Sequence, residues 1–90
     1  METIKKIQII NDLGLHARAA AKIVELTGHY RSALFLKKKE REVDASNILS
    51  ILTLSCPKGT ELHARAVGED AGALIEALEE LFEKKFGEIK

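Results

Sequence analysis

The pentapeptide Leu-His-Ala-Arg-Ala occurs twice, at residues 15–19 and 62–66, and only the first copy sits where a histidine can do chemistry. Gly14 precedes that copy and a run dense in helix formers follows it. His16 therefore falls near the amino end of a helix, with Ala17, Arg18 and Ala19 in its first turn. The first backbone N–H groups of a helix lack internal partners, and with the helix dipole they form an anion site. A phosphoryl group on His16 is stabilised there by the backbone of Ala17 and Arg18. The same positive end disfavours the imidazolium and keeps a ring nitrogen available as a nucleophile near neutral pH. The Arg18 side chain offers a planar fork to phosphate oxygens. The plainer reading of these residues is a histidine that only caps a helix, beside an arginine in solvent.

The rest of the chain lacks a Gly-rich phosphate loop, a second general base or a metal-binding carboxylate cluster, so it has no equipment to bind and split a nucleotide. If His16 carries phosphate, one partner supplies it and another removes it, with no metal or cofactor. With 90 residues, the chain has room for one small core and no deep cavity, so its chemistry belongs on the surface, in a single domain over 1–90. Fourteen basic residues balance fourteen acidic ones, and aromatic residues make up 4% of the chain, which argues against a nucleic-acid partner. The longest apolar stretch, Ile48 to Leu54, is interrupted by Ser50 and Thr53 and is too short to insert in a membrane. No basic and apolar leader opens the chain, and the lone Cys56 has no partner for an internal disulfide. These features predict a cytoplasmic protein in which Cys56 is a small filler.

The elements that must position His16 read as follows. A first strand covers residues 3–10, and Asn11, Asp12 and Gly14 supply a turn. A helix of about twelve residues runs from His16 until Gly28 stops it, a second strand spans 31–37 and a short third one 41–45. Lys37 to Glu40 form the hairpin turn between those strands, with the lysines solvated at its tip. Ser46 and Asn47 are both good caps for a short second helix carrying Ile48, Leu49, Ile51 and Leu52. Residues 60–67 alternate Leu62, Ala64 and Ala66 against Glu61, His63 and Arg65, the clearest half-buried strand in the chain. His63 and Arg65 of the second pentapeptide then stand on its wet face as isolated polar groups. Asp70 caps a last helix whose apolar face is Leu74, Ile75, Leu78, Leu81 and Phe82, ending near Gly87. The order βαββαβα predicts an α+β fold, with an antiparallel or mixed sheet bearing helices on one face.

Gly14-Leu15-His16-Ala17-Arg18, this element order, the capped short helix and Pro57-Lys58-Gly59-Thr60-Glu61 together resemble the HPr family of phosphocarrier proteins, over nearly the whole chain. The resemblance implies an open-faced β-sandwich, a four-stranded antiparallel sheet covered on one face by three helices. It implies a carrier in a phosphotransferase relay rather than a stand-alone enzyme. Such a carrier takes phosphate derived from phosphoenolpyruvate from enzyme I and passes it to IIA-type proteins of a sugar or nitrogen-regulatory system. His16 would be phosphorylated on the ring nitrogen nearer the backbone, with Arg18 as the active-site arginine. Ala21, Val24, Ile48, Leu49 and Leu52 would dock partners, and the chain would act as a monomer. Three residues depart from the family pattern. Ala19 stands where the motif has Pro, so a regulatory binding module with slow or absent transfer is the alternative function. Asn47 occupies the usual position of the regulatory serine, which leaves its neighbour Ser46 as the candidate regulatory site, with capping as its simpler role. Glu25 stands where basic residues often face enzyme I.

Overall fold

The computed structural model describes residues 1–88; residues 89–90, included in the single-domain reading, lie outside the described residues. Four strands, β1 (Glu2–Gln8), β2 (Ala33–Lys38), β3 (Arg41–Asp44) and β4 (Glu61–Val67), form one antiparallel sheet in the order β1-β4-β2-β3. Three helices, α1 (Ala17–Thr27), α2 (Ile48–Leu52) and α3 (Ala71–Glu83), accompany it, and a short 3-10 turn follows at Lys85–Gly87. The chain thus has the expected βαββαβα order and the open four-stranded antiparallel sheet with three helices.

The alternation read in β4 puts Leu62, Ala64 and Ala66 in the core and Glu61 and His63 in solvent. β4 is a central strand, and its small alanines leave room for α3, which packs against both β1 and β4. Leu74, Ile75, Leu78 and Phe82 meet it with the buried stripe of an amphipathic helix. α1 buries Ala19, Ala20 and Ile23 and touches both α2 and α3, so the helix that begins at His16 is wedged between its neighbours.

Several details differ from the sequence-based expectation. Lys37 and Lys38 belong to β2, and the hairpin turns at Lys39 and Glu40 alone, with Lys39 at φ 56°. Lys38 Nζ donates to the carbonyls of Leu54 (3.1 Å) and Ser55 (2.6 Å), and Arg41 donates to the carbonyl of Thr53 (3.3 Å). Cations thus meet the carbonyl end of α2, where the helix dipole favours them. At the other end of α2 Asn47 is the cap, accepting from the Ser50 N–H at 3.1 Å. Ser46 does not cap: its hydroxyl and its N–H both donate to the Asp44 carboxylate, closing the turn before the helix. Asp70 makes no capping bond to α3, because its carboxylate receives the backbone N–H groups of Arg31 and Ser32 and the Ser32 hydroxyl. The side-chain hydrogen bond from Ser32 leads the interactions that hold the Asp70 carboxyl below its usual range.

Nor is Arg65 isolated. Its guanidinium makes two bonds to Glu42 of β3 and one to Glu2 of β1, and lies 4.4 Å from the ring centre of Phe35 on β2. One side chain on β4 therefore ties all four strands together on the open face, while His63 stays exposed. That accounts for the second pentapeptide in structural terms.

Candidate functional site

Residues 11–16 form the cradle of the site. Gly14 adopts φ 66°, and a Cβ built there would lie 2.5 Å from the Cys56 carbonyl oxygen and 2.9 Å from Pro57 Cα, so only glycine fits both the conformation and the space. This close approach lets the Leu15 N–H donate to the Cys56 carbonyl at 2.8 Å. Leu15 is buried, which anchors the residue just before His16 in the core. Cys56 is itself buried, and burial pushes its thiol pKa up, in keeping with an inert filler.

The chain leaves this anchor extended, with His16 at φ −80° and ψ 178°, and enters α1. His16 is the N-cap: its carbonyl accepts the Ala20 N–H at 2.9 Å and its ring Nδ1 accepts the Arg18 N–H at 3.2 Å. The lone pair of Nδ1 thus points at the unpaired donors of the first turn, as required for an anion carried on that nitrogen. Ala17 and Arg18 are exposed at the first two helical positions, whereas Ala19 is fully buried.

The sequence reading missed Glu88. Its carboxylate lies 2.9 Å from His16 Nε2, with the imidazole side chain 25% and the Glu88 side chain 10% exposed. Asn11, fully buried, donates its amide nitrogen both to Glu88 and to the Gly14 carbonyl. Because both neighbours are acceptors, the amide orientation is fixed by its donors. The Glu88 carboxyl is held below its usual range: burial raises it, and hydrogen bonds from His16, Asn11 and the Leu13 backbone lower it by more. The helix end is therefore not the only electrostatic influence on the ring, since a carboxylate opposes it from the other side. No local pattern announces a residue 72 positions away. The one legible trace was Asn11, which reads as turn chemistry and proves to be a buried polar anchor.

Of the five residues expected to dock partners, Ala21, Ile48 and Leu49 are exposed, Leu49 to 73%. Val24 and Leu52 are half-buried against the core. Leu13, 66% exposed beside the His16 cradle, is an apolar neighbour the sequence reading did not include. Glu25 is exposed on α1. Among the described residues no group of three His, Cys, Asp or Glu side chains could hold a metal ion, and no helix is long and apolar enough to cross a membrane.

Fold and site together define a class: a small open-faced α+β protein that presents one imidazole at the amino end of a helix wedged between its neighbouring helices. The family model of PTS-HPr, the "PTS HPr component phosphorylation site", matches residues 4–84. The phosphocarrier protein HPr of Xylella fastidiosa strain Temecula1 is 41% identical over 83 residues, covering 92% of this chain and 93% of that protein. HPr of Pseudomonas aeruginosa is 42% identical over 84 residues, covering 92% and 93%. The crystal structure of HPr-C-His from Thermoanaerobacter tengcongensis superposes with a TM-score of 0.92 at 35% identity, covering 98% of this chain and 99% of that one. The chain belongs to the HPr family of phosphocarrier proteins.

Proposed function

We propose that this protein accepts a phosphoryl group on Nδ1 of His16 from the phosphohistidine of enzyme I. It then passes the group to a histidine of IIA-type proteins in a sugar or nitrogen-regulatory phosphotransferase system. It acts in the cytoplasm as a monomer and as one domain over 1–90. The observation that carries this reading is the Nδ1 lone pair of His16 facing the first turn of α1.

In the transfer, the Nδ1 lone pair attacks phosphorus while the P–N bond of the donor breaks and its electron pair stays on the donor imidazole. As the Nδ1–phosphorus bond forms, the Arg18 N–H is released from Nδ1 and is placed, with the Ala17 N–H, to donate to phosphoryl oxygens. The exposed Arg18 guanidinium supplies a cation to the same oxygens. Such support must stay modest, since a deeply stabilised phosphohistidine would stall onward transfer. The exposed Leu13, Ala21, Ile48 and Leu49, with the edges of Val24 and Leu52, give partners an apolar surface near the imidazole.

The test is intact-mass analysis after mixing the protein with phosphoenolpyruvate, Mg²⁺ and catalytic cognate enzyme I, beside His16→Ala. A gain of one acid-labile phosphoryl group, absent in the variant and lost again when a IIA protein is added, is expected. No gain, with an enzyme I that phosphorylates a conventional HPr, would favour the regulatory binding module and point to Ala19 as the cause.

A further inference from the structure

The segment after α3 is built to return to His16. Three consecutive residues, Lys85, Phe86 and Gly87, take positive φ of 55°, 57° and 81°, reversing the chain as the helix ends. Two of them are not glycine and hold a left-handed backbone that L-residues disfavour, so the reversal needs tertiary support. It has that support: Phe86 is buried with its ring centre 4.9 Å from that of Phe82, and Lys22 of α1 donates to the Phe86 carbonyl at 2.7 Å. The next residue is Glu88, which the reversal sets against His16 Nε2, with Asn11 donating to the same carboxylate oxygen.

Resting on the carrier reading above, we propose that Glu88 is a positioning residue for phosphoryl transfer: it holds the proton on His16 Nε2, so that Nδ1 keeps the lone pair that attacks phosphorus. The two ring contacts agree on this tautomer, since Nδ1 accepts from a backbone N–H and Nε2 faces an acceptor. No proton moves on His16 during the transfer. When Nδ1 bonds to phosphorus the ring gains a positive charge, which the Glu88 carboxylate faces; when the phosphoryl group leaves, the electron pair returns to Nδ1 and the ring is neutral again. The N–H form of the phosphohistidine departs as neutral imidazole, so one contact favours both acceptance and donation. The other charged groups on the neighbouring segments include Arg18 and Lys22 of α1, with Lys22 held on the Phe86 carbonyl, Asp12 paired with Lys58 at 3.0 Å, and Lys85 of the tail. Glu88 is the carboxylate hydrogen-bonded to the ring.

The experiment is ring-nitrogen NMR of the full, ¹⁵N-labelled, unphosphorylated chain and its Glu88→Gln and Glu88→Ala variants. Phosphorylation rate by enzyme I and the pH profile of phosphohistidine decay are then measured on the same samples. The expected result is an exchange-protected Nε2–H signal on His16 in the native protein, weakened in Glu88→Gln and lost in Glu88→Ala, with amide spectra otherwise preserved. Phosphorylation slows on the order of tenfold in both variants, the scale of losing the carboxylate partner of a reactive imidazole. The decay accelerated by ring protonation retreats to lower pH. A native protein with no protected Nε2–H signal, or variants with native rates and decay profiles, would overturn the proposal. A normal Nε2–H signal in a chain that cognate enzyme I never phosphorylates would instead overturn the carrier reading, and the transfer role of Glu88 with it.

Discussion

Replacing Gly14 by alanine should damage the protein more than either Gly59→Ala or Gly72→Ala, and these three variants separate the two demands made on the His16 cradle. At Gly14 an L-residue would hold a left-handed backbone at φ 66°, costing about 1–2 kcal/mol. Its Cβ would also lie 2.5 Å from the Cys56 carbonyl oxygen, a backbone atom that can move only by loosening the Leu15–Cys56 hydrogen bond. Overpacking of this kind adds about 1–3 kcal/mol. The sum, about 2–5 kcal/mol, is a large fraction of the roughly 5–13 kcal/mol expected for a domain of this size. Gly59 has φ 93° and open space around it, so its alanine variant should lose about 1 kcal/mol, from conformation alone. Gly72 is helical with nothing within 4 Å, and alanine there should stabilise by up to about 1 kcal/mol. Urea denaturation reads all three. With a slope of about 1 kcal/mol/M, the midpoint should fall by about 2–5 M for Gly14→Ala and rise for Gly72→Ala. Phosphorylation by enzyme I at equal folded fraction should fall for Gly14→Ala alone. A Gly14→Ala midpoint no lower than that of Gly59→Ala would refute the claim that close packing on Cys56 and Pro57 seats His16.

Asn47→Ala removes the cap of α2 and should cost about 1 kcal/mol by denaturation, whereas Ser46→Ala, which leaves the cap in place, should cost less. Asp70 has a folded pKa below its ordinary value of 3.8, so its contribution is present above that pH and fades as pH falls toward the lowered folded value. Acid denaturation of Asp70→Asn should therefore show a shallower loss of stability below about pH 4 than the native chain; parallel curves would contradict the bonds from Arg31 and Ser32. Asn11→Asp sets a carboxylate beside that of Glu88 in a buried site, so it should lower stability and release the His16 Nε2–H signal, while Asn11→Ser should do so less.

Alternation and capping carried much of the fold to the surface of the sequence. β4 shows its buried face in Leu62, Ala64 and Ala66, and α3 shows its stripe from Leu74 to Phe82, because burial there repeats with the period of the element. What stayed hidden depends on pairs distant along the chain. Asp70 looked like a cap but binds the loop before β2, and Lys38 looked like a solvated tip but serves the end of α2. Arg65 looked isolated until strand order brought Glu2 and Glu42 beside it. In the candidate site, His16, Ala17 and Arg18 were legible because helix-end chemistry is local. Glu88 was not, because only the folded tail carries it to the imidazole.

Whether His16 carries phosphate through Nδ1 is decided by locating the phosphoryl group at atomic resolution. The ¹⁵N-labelled protein, phosphorylated by phosphoenolpyruvate and catalytic enzyme I, would be observed by long-range ¹H–¹⁵N correlation with phosphorus coupling on the ring nitrogens. The chain has three histidines, so the measurement discriminates among residues as well as nitrogens. The expected spectrum shows a single phosphoryl group on Nδ1 of His16, with Nε2 protonated and His29 and His63 unchanged. A phosphoryl group on Nε2 of His16, on either other histidine, or on none of the three would contradict it.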